Sequence, residues 1–256
     1  YDADIVVLPN LTTIAPIAVF KNGQLVAQNG ELLVARTERV EPSVAITQSV
    51  RIPTVTNADL QIAFPVSNRA NVIEIIPNQI MTKKLVTEVP VENGYFVPSV
   101  EQDLLKLAIV ERHHNLGNIQ AAIVKGFGLQ SGAVATTVAH DSHNALVLGT
   151  NDDDMIVAQE ALQRMQGGFV IVNEGKVIGE LALPVSGLMT LLDADEACEQ
   201  LHALHDALHV IHPTIDFHLF LTLSFIALPV IPQLKITDIG LFDVDLFEHI
   251  AIQIDK

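Results

Sequence analysis

The chain has 256 residues, 49% of them hydrophobic, and a single cysteine, Cys198. This supports one large domain, or a small one beside a medium one, and excludes both a disordered chain and a disulfide scaffold. Lys and Arg total 14 against 30 Asp and Glu, a net charge of −16, which argues against nucleic-acid and anionic-membrane partners but not against a small neutral ligand such as a base.

The opening "YDADIVVLPN" has no basic start and no long apolar run, so it does not read as a signal peptide. Without an initiator Met the chain reads as a piece of something longer, and its lone cysteine suits a cytoplasmic protein. The stretch "LFLTLSFIALPVIP" is broken by Pro229 and Pro232 and reads as core rather than as a membrane span.

In chain order, "DIVVL" predicts a buried strand, and Ile17 to Gly30 predict a hairpin turning at Asn22-Gly23. These strands are too few to stand alone, so residues 1–35 are expected to be an incomplete β-subdomain. Residues 36–65, with Pro42, Pro53 and Pro65, read as a connector, and 66–256 as the main domain. "NVIEIIPNQIMTKKLVTEVP" and "DLLKLAIVERH" favour strands. "NIQAAIVKGFGL" is ambiguous and leans towards a short helix ending near Gly126 or Gly128.

"GAVATTVAH" and "ALVLGT" predict apolar strands around a polar loop. "NDDDMIVAQEALQRMQGG" predicts a helix, with Met155, Ala158, Leu162 and Met165 at helical spacing and Gly167-Gly168 at its end. "GFVIVNEGKVIGELALP" predicts a second hairpin, turning at Asn173-Glu174-Gly175. "DADEACEQLHALHDALHVIH" predicts a second helix, and an apolar tail follows from Pro213. Interleaved strands and helices with several hairpins predict an α+β fold of mixed, largely antiparallel sheets with packed helices.

Four clusters are candidates for chemistry. Asp152, Asp153 and Asp154 are explained by a helix N-terminus capped by Asn151, without a metal. His202, His205, His209 and His212 fall within about 80° of arc on one helix. Histidines four apart can chelate a metal, but Leu201, Leu204, Leu208 and Ile211 adjoin the stripe, which reads better as a boundary between core and solvent. Arg112, His113, His114 and Lys125, cations and imidazoles in an acidic chain, are candidate substrate-binding residues or parts of a surface loop. "HDSHN" places His140, Asp141, Ser142, His143 and Asn144 between two apolar strands. Asp141 can orient an imidazole, and His140 or His143 can act as acid, base or metal ligand. The alternative is a polar turn whose histidines are satisfied by backbone groups.

The segments "VKGFGLQSGAVATTVAHDSHNALVLGTNDDDM", "GGFVIVNEGKVIGELALPVSGLM" and "LSFIALPVIPQLKITDIGLFDV" together resemble the C-terminal region of bacterial adenine deaminases, in the amidohydrolase superfamily. The resemblance covers nearly the whole chain, and its opening resembles the strands that complete a β-sandwich after a catalytic TIM barrel. It implies hydrolysis of adenine to hypoxanthine and ammonia at a manganese or iron centre in that barrel, and a homo-oligomer. The family's His-x-His metal pair does not occur in these residues. The resemblance therefore implies that the barrel is the chain's principal partner, that these residues hold no metal, and that they are inactive alone. His140, Asp141, His143 and Asn144 remain the catalytic candidates. A purely structural or oligomer-forming role, or an independent acid–base or metal site at His140, Asp141 and His143, are the alternatives.

Overall fold

The computed structural model describes residues 2–35 and 40–255, in two compact units that divide after Glu41. Residues 36–39 of the expected connector lie outside the described residues.

The first unit is a four-stranded antiparallel sheet of β1 (Ile5–Val7), β2 (Ala18–Lys21), β3 (Gln24–Gln28) and β4 (Glu31–Leu32) in sequential order. Its hairpin turns at Asn22 and Gly23, both at positive φ (49° and 74°), as a tight turn between twisted strands requires. No described residue of 2–35 is buried, so the sheet has no core of its own.

The second unit begins with a one-turn helix, α1 (Val44–Thr47), and an irregular strap, residues 48–68. Its strands are β5 (Arg69–Ile75), β6 (Thr82–Glu88), β7 (Val91–Glu92), β8 (Tyr95–Phe96), β9 (Leu104–Val110), β10 (Ile119–Lys125), β11 (Ala133–Thr136), β12 (Ala145–Gly149), β13 (Gly168–Asn173), β14 (Lys176–Ala182), β15 (Leu234–Thr237), β16 (Gly240–Asp243) and β17 (Glu248–His249). Helix α2 spans Asp152–Arg164, α3 Ala194–Ile211 and α4 Leu219–Ser224. Eight strands form the main sheet in the order β14-β13-β11-β12-β9-β10-β5-β6, antiparallel except where β10 meets β5. The fold is α+β with mixed, mainly antiparallel sheets, as the interleaved pattern predicts.

Strand β9 is buried along its whole length because both faces of the sheet are covered. Leu105, Leu107 and Ile109 point into the cluster under α3 and α4, whereas Ala108 and Val110 point into the cluster under α2 and the strap. This alternation is the two-residue period of a strand. Lys106 falls on the α2 side at 3% exposure and pairs with Asp152 at 2.5 Å. The strap is more than a tether, because Val55 and Leu60 belong to the same cluster.

The helical expectation for "NIQAAIVKGFGL" is corrected: Ile119–Lys125 is strand β10. Ala122 and Val124 pack into the cluster under α3 and α4, and Ile123 into a cluster on the other face with Ile62, Phe64 and Val72, which removes the alternation that marks a strand and leaves an apolar run readable either way. Gly126 and Gly128, at φ 102° and 68°, end a strand, and their N–H groups donate to the Asp103 carboxylate at 2.8 Å each. Both longer helices start as expected. The Asn151 side chain caps α2 by accepting from the N–H of Asp154 (2.8 Å). A capping box between Asp193 and Glu196 opens α3.

Candidate functional site

Sheet register brings three loops together. Val110 pairs with Ile119 on one side and Ala145 on the other. The turn 111–118 and the loop 137–144 therefore leave the same end of the sheet, next to each other. Thr137 ties in a third segment, the turn from Val185 to Met189: its hydroxyl donates to the Gly187 carbonyl (2.6 Å) and accepts from the N–H of Gly168 (2.8 Å).

Arg112 joins the three. It is 1% exposed, and its Nε donates to the His143 carbonyl while an Nη donates to the Ser186 carbonyl at 3.1 Å. Burial lowers its pKa to about 10, with the charge of Glu111 opposing the shift, so it stays a cation at neutral pH. Gly187 leaves it space: at φ 72°, a Cβ there would lie 2.8 Å from the guanidinium. Beside it the buried carboxylate of Glu111 accepts from the N–H groups of His113 (2.6 Å), His114 (2.8 Å) and Leu116 (2.9 Å). Burial pushes the Glu111 pKa up, but these three donors outweigh it and leave it below the usual carboxylate range.

The loop is fixed from both sides. The N–H of His140 donates to the Ser224 carbonyl (2.8 Å), and that of His143 to the Ala139 carbonyl (2.7 Å). The His140 ring stacks on Phe225 with centroids 4.5 Å apart. His113 Nε2 bonds the Ser142 carbonyl at 2.8 Å. Asp141 and Ser142 are exposed at the tip, while Asn144 is buried.

Two polar atoms on consecutive residues, His143 Nδ1 and Asn144 Oδ1, are buried without a hydrogen-bond partner among the described residues. His143 sits at φ 51°. Burial, then the positive charges of Arg112, His140 and His113, lower its pKa against a smaller opposing pull from Asp141. It is therefore a neutral imidazole at pH 7, able to donate or accept a proton at Nδ1.

The candidates from the sequence separate in space. His140, Asp141, His143, Asn144, Arg112 and His113 come together. His114 is exposed in the adjoining turn, its backbone held by Glu111. Lys125 is elsewhere: pairing with Leu104, it sits at the opposite end of β9 and β10, about 20 Å along the strands, and its Nζ donates to the Gln102 carbonyl at 2.5 Å. Arg112 lies beneath the loop rather than on its surface, which suits positioning rather than direct contact with a substrate. Among the described residues no group of three or more His, Cys, Asp and Glu could hold a metal, so neither His140, Asp141 and His143 nor the stripe on α3 forms one. In that stripe His202, His205 and His209 are exposed and His212 is buried. Glu111 and Phe225 were missed by sequence reasoning. A lone carboxylate before "RHHN" hinted at the first, but no local signal joins Phe225 to a loop 85 positions earlier.

A family model described as "Adenine deaminase C-terminal domain" matches residues 79–248, which include the loop, Arg112 and Gly187. The chain belongs to this family. It is 57% identical over 253 residues to an adenine deaminase of Lysinibacillus sphaericus, 45% over 254 to one of Halalkalibacterium halodurans, and 40% over 255 to one of Bacillus subtilis. These alignments take in 99% of the chain but 43%, 43% and 44% of the respective relatives. The chain thus spans less than half the length of the relatives it matches. No helix among the described residues is long and apolar enough to cross a membrane.

Proposed function

We propose that the chain is the C-terminal part of an adenine deaminase, converting adenine to hypoxanthine and ammonia, and that His143 and Asn144 face the purine site of the complete protein. The observation that carries this reading is the pair of unpartnered atoms, His143 Nδ1 and Asn144 Oδ1, enclosed behind the exposed tip of a loop whose backbone is fixed, so that the tip side chains at Asp141 and Ser142 move aside for a purine to reach them. Adenine offers an amine donor and ring-nitrogen acceptors. Asn144 Oδ1 complements the amine, and a neutral His143 complements a ring nitrogen or relays a proton. The names of the relatives support the substrate.

Manganese or iron belongs to the barrel in this reading. The described residues offer no metal-binding group, so no step is assigned to a metal on them. The chain by itself should not turn over adenine. The exposed tip at Asp141 and Ser142 gives the barrel a surface to close against. A structural role is favoured for His140, His113 and Arg112, because each is committed to Phe225 or to backbone carbonyls.

The test is His143→Ala in the complete protein. We expect kcat/KM to fall at least about tenfold, roughly 1.4 kcal/mol of transition-state stabilisation, with little change in Tm. Unchanged kinetics with a much lower Tm would make the loop structural. Hypoxanthine production by the 256-residue chain alone, given adenine and Mn²⁺, would overturn the division of labour between barrel and loop.

A further inference from the structure

The two ends of the central strands β9 to β13 differ in what their turns expose. At the end away from the histidine loop, residues 99–103, 126–132, 150–151 and 174–175 expose no large apolar side chain. At the loop's end, Leu116 is exposed in the turn 111–118 and Met189 in the turn that supplies the Ser186 carbonyl to Arg112. Hydrogen bonds add two further segments. Asn118 Nδ2 donates to Asp238 Oδ2 at 2.9 Å, which sets Ile239 beside the first of these turns. The N–H of Ser186 donates to the Ile46 carbonyl at 2.9 Å, which sets α1, with Val44 and Ile46, beside the second. The five side chains are between 41% and 66% exposed. Helix α1 buries none of its residues, although a single helical turn does not hold by itself. Charge is sparse as well: in a chain with 30 Asp and Glu, residues 43–49 and 183–190 carry no charged side chain. Single apolar side chains are ordinary on a surface, but five on four adjoining segments around a candidate site mark an interaction surface. Depletion of charge is the compositional sign of an interface core.

We propose that this apolar ring is the surface on which the remainder of the same, longer protein docks, over the tip of the histidine loop. The proposal rests on the reading above that the chain is one part of a larger enzyme, and it names the residues by which that part is attached. Two observations favour this occupant over a second copy of the chain. The chain accounts for 43% of the length of the Lysinibacillus relative, so more than half of such a protein is left to cover the ring. The polypeptide also enters the second unit at Pro42, directly before α1, so it arrives on this face. A second copy would bind through the same patch about a two-fold axis. That would set the exposed Asp141 of each tip against its equivalent, like charge on like charge, and would close the loop to substrate.

The test places the photo-cross-linker p-benzoylphenylalanine in the complete protein, at Ile239 in one variant and at Met189 in another. A control carries it at Lys176, exposed at the opposite end of the sheet. Both test positions are exposed here, so the replacements leave the core intact, and Tm is measured on each variant before irradiation. Linked peptides are then identified by mass spectrometry. We expect the cross-linkers at 239 and 189 to capture peptides from outside these 256 residues, and the one at 176 to capture none of them. Links confined to these residues, a cross-linked dimer joining two copies through this patch, or no link from either position would overturn the proposal. Equal capture from position 176 would also overturn it, because the ring would then be no different from the other end. The readout needs no turnover. The expected links together with unchanged kinetics in His143→Ala would keep the docking surface and refute the purine-site reading. Absent links together with impaired kinetics in that variant would do the reverse.

Discussion

Two histidine-rich segments of this chain offer imidazoles for a site on paper and behave differently in the fold. The α3 stripe offers four imidazoles at helical spacing, yet His202, His205 and His209 face solvent and form no metal-binding group. The loop His140–Asn144 offers two, yet its backbone is held by Ser224, Ala139 and Arg112, and two of its polar atoms are buried and unspent. Helical periodicity alone can line up histidines along a boundary. A loop whose carbonyls are gathered by a buried guanidinium needs a cation, space for it and three adjoining segments. The number of histidines says less about a site than what fixes their backbone.

Removing the cation should break the contrast most severely. Arg112→Ala leaves the His143 and Ser186 carbonyls unpaired and opens a cavity, costing about 3 to 4 kcal/mol in chemical denaturation. A loss within about 0.5 kcal/mol would mean that the loop holds itself.

Lys235 supports the same structure from below. It is fully buried, and its Nζ donates to the carbonyls of Ile80 (2.8 Å) and Phe225 (3.2 Å), the latter residue being the one on which His140 stacks. Burial lowers its pKa to about 8. The unfolded chain holds this proton up to a pH near 10.4, so between about 8 and 10 the unfolded state binds more protons than the folded one. Stability should therefore rise across that window, on the order of 3 kcal/mol from this group, and the contribution is absent below it. Lys235→Met should flatten the rise, and an unchanged profile would assign it to other groups.

Smaller changes sharpen the comparison. Gly187→Ala sets a Cβ 2.8 Å from the guanidinium at a φ of 72° and should cost about 2 kcal/mol, read as a lower Tm. On the stripe, His202→Ala and His205→Ala should each stay within about 0.5 kcal/mol of the parent and leave the kinetics of the complete protein unchanged. A metal-dependent Tm that either substitution removes would restore the stripe as a site.

The readable parts of the fold were those decided locally. Asn151 with three acids, Asp193 with Glu196, and the Asn-Gly and Glu-Gly turns each carry their own chemistry within a few residues. Strand β10 was misread because apolar clusters pack against both of its faces, Ala122 and Val124 on one and Ile123 on the other. For the site, the five residues of the loop could be picked out because strands flank them. Lys125 was grouped with Arg112 by proximity in sequence, but β10 carries it to the far end of the sheet. Phe225, Ser224 and Ser186 were invisible as site components because their contacts with the loop come from tertiary packing.

The central claim is that His143 and Asn144 serve a purine site completed by another part of the protein. A crystal structure of the complete protein with a purine bound tests it most directly. We predict His143 Nδ1 or Asn144 Oδ1 within about 3 Å of the purine, or one water away, with Arg112 still beneath the loop. A structure in which the loop faces solvent or a subunit interface, with the purine bound entirely by the barrel, would contradict the account.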